Sequence, residues 1–177
     1  PLLKWAGGKS YLTSTIYNIT KEIRFKKYIE PFFGGGAIYF NFVKNDEKIK
    51  DDAVINDINS DLMMLYKHIK NQSKELIKSH NRIKNQFNRK GYYYIRARFN
   101  GIDAKGFKKD KYKGTDRSAA LMILNKTCFN GIYRVNKDNK FNVPQGRYKL
   151  PSFIDDELIY KLSNILPKTR NIKSKPY

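Results

Sequence analysis

Cysteine is nearly absent from these 177 residues: Cys128 is the only one, so no disulfide can close within the chain. That usage fits a reducing compartment, and the expected location is the cytoplasm. Two histidines beside that single thiol are too few donors for a typical structural zinc site, so no metal is expected. No run of 18 apolar residues exists, and no membrane span or membrane partner is expected. No leader peptide is visible: Pro1-Leu2-Leu3-Lys4 already reads as the opening of a motif, and without Met at position 1 the natural start is expected upstream. Acidic residues are scarce too, 16 against 36 lysines and arginines, for a net charge of +20.

That imbalance is local. Residues 1–62 hold 9 basic and 8 acidic residues, net +1. Residues 63–149 hold 22 and 5, net +17, and residues 150–177 hold 5 and 3, net +2. A genome-wide lysine bias would not leave the first third near neutral, so a polyanion is the better account. A membrane surface fits less well, because the basic segment shows no single basic amphipathic helix. The length allows one domain, or a core with one sizeable insertion, and 40% apolar residues suffice to pack it.

The first 62 residues alternate between strand and helix. Leu12, Ile16 and Ile19 recur at helical spacing over 10–20. A short strand spans 27–32, followed by Gly34-Gly35-Gly36 and an apolar helix over 37–44. A second strand spans 53–57, and a helix spans 61–70. Strand, glycine loop, helix and strand open a doubly wound parallel sheet. A glycine loop admits a ligand close to the backbone, and the helix behind it aims amides at that ligand. Asp57 lies 23 residues after Gly34, near the ~20 at which an acid meets ribose hydroxyls. A dinucleotide fingerprint would need a third glycine at position 39, where Tyr39 stands. Gly8-Lys9-Ser10 lacks the glycine and the strand of a phosphate loop, so an NTPase is not expected.

The middle segment reads as helical and basic, with helices over 72–87 and 92–99, a Gly/Lys/Asp-rich loop over 100–114, and a helix capped by Asp116. His68 and His80 fall on polar stretches and are expected at the surface. Leu124 to Asn136 then mixes aromatic, amide and guanidinium groups around Gly131. Such a loop can wedge a ring between bases and present Asn130 and Arg134 to base edges, arginine being suited to guanine. A hairpin with a polar turn at 136–139 would carry it. Asp155-Asp156-Glu157 starts a capped helix ended by Pro167, with no strand expected between it and Lys175-Pro176-Tyr177.

Lys4-Trp5-Ala6-Gly7-Gly8-Lys9 resembles the N-terminal cofactor motif of Dam-type adenine-specific DNA methyltransferases. Glu30 to Ala37 resembles their glycine-loop motif, Ile55 to Asp61 their ribose-binding strand end, and 124–136 with 141–148 their target-recognition hairpin. The resemblance covers nearly the whole chain. It implies a Rossmann-like α/β core over 1–62, resumed at 150–177, with a mainly helical DNA-recognition insert over 63–149. It implies S-adenosylmethionine as cofactor and double-stranded DNA as partner, in a bacterial or phage-type setting, with a restriction endonuclease as a functional rather than physical counterpart. Trp5, Ala6, Gly7 and Lys9 would line the cofactor site, with Glu30, Pro31, Phe32, Gly34 and Gly36 around its methionine end and Asp57 on its ribose. Phe129 would intercalate beside the target adenine. Asn130, Ile132 and Arg134 would read the site with Pro144 and Gln145 beside them, Arg147 would hold phosphate, and Lys4 would meet a guanine, in the manner of GATC readers.

One feature departs from the family. Its transfer step relies on an Asp-Pro-Pro-Tyr motif that holds the flipped adenine amine, and no such sequence occurs here. No catalytic residue is therefore assigned, and the chain alone is expected to be inactive. Three readings stay open: the N-terminal part of such an enzyme, a non-catalytic DNA-binding remnant of one, or an RNA-binding protein whose Tyr, Phe and Arg stack on single-stranded bases.

Overall fold

The computed structural model describes residues 2–103, 108, 110–148 and 153–176. Pro1, Tyr177, part of the loop expected over 100–114 and the expected limit at 149–150 lie outside the described residues. Three short parallel strands form one sheet in the order β1 (Ile29–Glu30), β2 (Val54–Asn56), β3 (Ile172–Lys173). Ile29 pairs with Val54 and Glu30 with Ile55; Ile55 then pairs with Ile172 and Asn56 with Lys173. The strands are shorter than the apolar runs suggested. Pro31 has no N–H to continue the β1 ladder, and the chain turns there, with Phe33 N donating to Asn56 O at 2.8 Å.

β3 corrects the expectation that no strand precedes Lys175. Two residues are too few to show an alternating pattern. They are held by their neighbour instead: the Asn56 side chain accepts from Lys175 N at 3.0 Å and donates to the oxygens of Lys175 and Pro31, each at 3.1 Å.

Helices account for most of the chain. A 3-10 turn at Ser10–Leu12 leads into α1 (Thr13–Thr20), and α2 (Ala37–Asn45) and α3 (Ile49–Asp52) connect β1 to β2. α4 (Ser60–Asn71) starts at Asn59, whose side chain accepts from Leu62 N at 3.0 Å. α5 (Ser73–Asn100) contains Gly91 at φ 76° and ψ 175°, so its two arms match the two helices expected there. α6 (Gly114–Thr127) is the central helix, with Ser118 to Asn125 all buried. α7 (Asp156–Ile165) is capped by Asp155, which accepts from Glu157 N at 3.2 Å, as its sequence indicates.

Asp116 does not cap α6, which begins two residues earlier; its carboxylate pairs with Arg82 on α5. The polar turn at 136–139 exists, with Asn136 N donating to Lys140 O at 2.9 Å. The hairpin around it is irregular: its arms form no regular strands and meet at the isolated antiparallel bridges Val135–Phe141 and Cys128–Gln145.

One apolar cluster runs from Leu2 and Leu3 through Ile55, α4, α5 and α6 to Ile172. Position 62, where the charge pattern changes, lies inside α4. The two histidines sit within this packing rather than on the surface, at 9% exposure for His68 and 1% for His80. Because α4 and α5 have helices against more than one face, their polar stretches are covered too. His68 Nδ1 lies 2.8 Å from Ser118 Oγ. Among the described residues neither His80 ring nitrogen has a partner, and burial pushes this imidazole down to about 4. Among the described residues no helix is long and apolar enough to cross a membrane.

Candidate functional site

The carboxyl ends of β1 and β2 open into a cavity of about 450 Å³, where ligands bind in open α/β sheets. Trp5, Ala6, Gly7, Gly8 and Lys9 supply one part of its wall; Glu30, Phe32, Phe33, Gly34, Gly35, Ala37 and Ile38 supply another, and Asp57 a third. Eight of the ten candidate cofactor residues thus meet in one place. Pro31 instead lines a neighbouring apolar cavity of about 410 Å³ with Ile29 and Phe42. Gly36 is buried, where a Cβ would stand 2.6 Å from the rings of Phe33 and Phe40. Phe33, Gly35 and Ala37 had no independent signal beyond their place in the glycine-loop motif, and Ile38 lies one residue past it.

Asp57 builds the loop as well as facing the cavity. Its Oδ2 accepts from Gly34 N at 2.9 Å and its Oδ1 from Asn59 N at 2.9 Å. A carboxylate has about four acceptor directions, so two remain for a ligand hydroxyl. Gly34 has φ 51°, and a Cβ there would stand 2.9 Å from Trp5 Cδ1. Loop and indole therefore touch without room for a methyl group. Lys9 Nζ donates to Gly7 O at 2.8 Å, shaping its own loop. Burial pushes the Glu30 carboxyl up to about 7, against the lowering effect of the Tyr28 hydroxyl that donates to it at 2.7 Å. The cavity combines aromatic faces, a carboxyl that gains charge near neutrality, an ammonium and free acceptor positions. That set suits a nucleoside-sized ligand bearing a positive charge.

The second assembly lies on the other side of residues 4 and 5. Asn125, buried in α6, ties backbone to backbone: its Oδ1 accepts from Lys4 N at 2.8 Å, and its Nδ2 donates to Lys4 O at 2.7 Å and Gly131 O at 2.9 Å. Gly131, at φ 64°, lies against the Lys4 side chain with no space for a Cβ. The turn that ends at Gly131 presents Phe129, 51% exposed, and Asn130, in a left-handed conformation at φ 52°. Phe129 N donates to Pro144 O at 2.9 Å, which puts Pro144 and Gln145 beside it, both exposed. Arg134 is exposed and donates from Nε to Asn142 Oδ1 at 2.8 Å, which leaves its terminal nitrogens to meet a partner. Arg147 is exposed, and Lys4 Nζ sits 4.5 Å from the centre of the Tyr148 ring. Ile132 is half-buried against the core. Burial first, and then the Lys4 charge, hold the Lys126 ammonium below its ordinary value. Cys128 is buried, and burial pushes its thiol up to about 11, away from the thiolate that reactive cysteines need.

Between the two assemblies stand residues that the sequence did not single out. Tyr133 stacks on Trp5 with ring centroids 5.6 Å apart and planes at 26°. Its hydroxyl donates to Asp61 Oδ2 at 3.2 Å. Asp61 also accepts a bidentate pair from Arg117, at 2.6 and 2.7 Å. No local spacing marks these partners, since each lies on a different element.

A family model for the D12 class N6 adenine-specific DNA methyltransferases matches residues 5–177. The type II methyltransferase M.MjaIII of Methanocaldococcus jannaschii is 42% identical over 184 residues, covering 98% of this chain and 60% of that protein. The DNA adenine methylase of Haemophilus influenzae is 37% identical over 164 residues, covering 90% and 51%. The DNA N-6-adenine-methyltransferase of Escherichia phage P1 is 36% identical over 153 residues, covering 86% and 18%. The chain spans between about half and three-fifths of the first two of these relatives, and less of the third.

Proposed function

The chain belongs to the D12 class N6 adenine-specific DNA methyltransferase family, and from that premise we propose that it binds S-adenosylmethionine in the β1–β2 cavity and reads GATC in duplex DNA with the 129–147 surface. One observation carries the proposal: Lys4, on the reading surface, and Trp5, on the cavity wall, are consecutive residues locked by Asn125. A cofactor and a base approaching from either side would meet across that dipeptide.

The bound cofactor would supply an activated methyl on a sulfonium. Glu30, ionised on binding, attracts the cofactor's positive charge, and Asp57 accepts from its ribose. The Phe32 and Trp5 rings offer apolar faces to the cofactor's adenosine part. Outside, Phe129 fills the space left by a flipped adenine, at a cost of a few kcal/mol of unstacking. Arg134 pairs with guanine, and Arg147 with phosphate. The helical region over 63–149 acts as the DNA-recognition insert of this arrangement.

The 177 residues contain no Asp-Pro-Pro-Tyr sequence, so this chain by itself holds both ligands without transferring the methyl group. Titration calorimetry with S-adenosylmethionine should give binding heat that Asp57→Ala abolishes. Equal heat from both proteins removes Asp57 from the site. Labelled methyl incorporation into a GATC duplex by the purified chain would overturn the assignment of binding without transfer.

A further inference from the structure

The stack of Tyr133 on Trp5 links a residue of the cavity wall to one beside the reading turn. Trp5 belongs to the cavity wall, and Tyr133 immediately precedes the exposed Arg134. The indole is wedged: Gly34 approaches it on one side, and the Tyr133 ring lies 5.6 Å away on another. Tyr133 is in turn fixed at its far end. Its hydroxyl reaches Asp61, and Asp61 is clamped by both forks of Arg117 with side-chain exposures of 18% and 23%. Arg117 is anchored once more by donating to Phe99 O at 2.7 Å and by lying 4.0 Å over the Phe99 ring. The chain Trp5–Tyr133–Asp61–Arg117 therefore joins the cavity, the reading turn, α4 and α6 through side chains alone.

We propose that this chain couples the two sites, so that S-adenosylmethionine in the cavity and a duplex on the reading turn each strengthen binding of the other. Tyr133 and Arg117 are positioning residues in this scheme, and it rests on the functional reading above. A ligand packed against Trp5 fixes the indole plane. That plane fixes the Tyr133 ring and, through it, the backbone from which Arg134 projects. The ordering of the reading turn is then lost once rather than twice, which is positive linkage, and linkage must act equally in both directions.

The test uses the whole chain, S-adenosylmethionine and a short GATC duplex. Trp5 is the only tryptophan, so its emission reports cavity occupation with or without duplex. The unmutated chain should bind cofactor at least about fivefold more tightly when duplex is saturating, the lower end of the usual coupling range. Tyr133→Leu, which removes the stack, should bring that ratio to one while each ligand still binds alone. Tyr133→Phe keeps the stack and drops only the hydroxyl, and Arg117→Lys keeps the charge and drops the fork. Both should lower the ratio without abolishing it, and both preserve packing should Tyr133→Leu fail to fold. A purely structural Tyr133 would change affinities or melting temperature and leave the ratio intact. An unchanged ratio in Tyr133→Phe and Arg117→Lys overturns the proposal, as does a ratio of one in the unmutated chain when both ligands bind. No cofactor binding by the unmutated chain overturns the functional reading itself.

Discussion

The cavity wall and the reading surface adjoin at Lys4 and Trp5 but are built by opposite means. The wall is set by close contacts of its backbone: Gly34 N is held by Asp57, Lys9 bonds its own loop, and Gly34 rests on the indole. The reading surface is mostly exposed side chain, with Phe129, Asn130, Arg134, Pro144, Gln145 and Arg147 raised on a turn whose backbone is tied beneath by Asn125 and Gly131. A wall of this kind fails sterically and all at once. A surface of this kind fails by degrees, one contact and one charge at a time.

The sharpest break is expected at Gly34. Gly34→Ala would force a side chain into a left-handed conformation, at ~1–2 kcal/mol, and into the Trp5 ring, at a further ~1–3 kcal/mol. Cofactor titration should lose its signal, while duplex affinity measured without cofactor should stay close to that of the unmutated chain. A parallel loss of duplex binding would mean that the two regions share a single steric frame.

On the reading side the effect should be smaller and selective. A bidentate arginine–guanine pair is worth ~1–3 kcal/mol, so Arg134→Ala should weaken GATC binding by roughly 5- to 150-fold. Binding to a scrambled duplex should barely change. Lys137→Ala removes the same charge from the exposed turn and should weaken both duplexes alike while flattening the salt dependence. Competition at fixed salt checks this, and equal weakening by Arg134→Ala would reduce that residue to a phosphate contact.

The smallest effect is a slope. The Glu30 carboxyl is pushed up to about 7 by burial, so in the free chain it is mostly protonated below that pH. A cationic ligand favours the ionised form, so binding releases a proton there. Cofactor affinity should rise roughly tenfold per pH unit, about 1.4 kcal/mol, up to about pH 7 and then level off. Glu30→Gln should flatten the profile. A flat profile in the unmutated chain would place the cofactor's charge away from Glu30.

The sequence by itself determined the parts made of neighbours. The cavity is assembled from three contiguous motifs at 4–9, 30–37 and 55–61, and eight of the ten residues proposed for it line it. Strand, loop and helix order followed from periodicity and from glycine and proline, which act through local backbone geometry. Charge distribution along the chain was equally legible, because net charge needs no coordinates. What only the tertiary structure decided was every pairing across distance. Arg117 meets Asp61 across 56 positions and Tyr133 meets Asp61 across 72. His80 lost its expected place at the surface because Phe153 packs against it. β3 exists because Asn56 and the β2 edge hold it, not because Ile172 and Lys173 favour a strand. Such contacts depend on which faces of helices and sheet come together, and a one-dimensional pattern records only that a face is apolar, not what lies across from it.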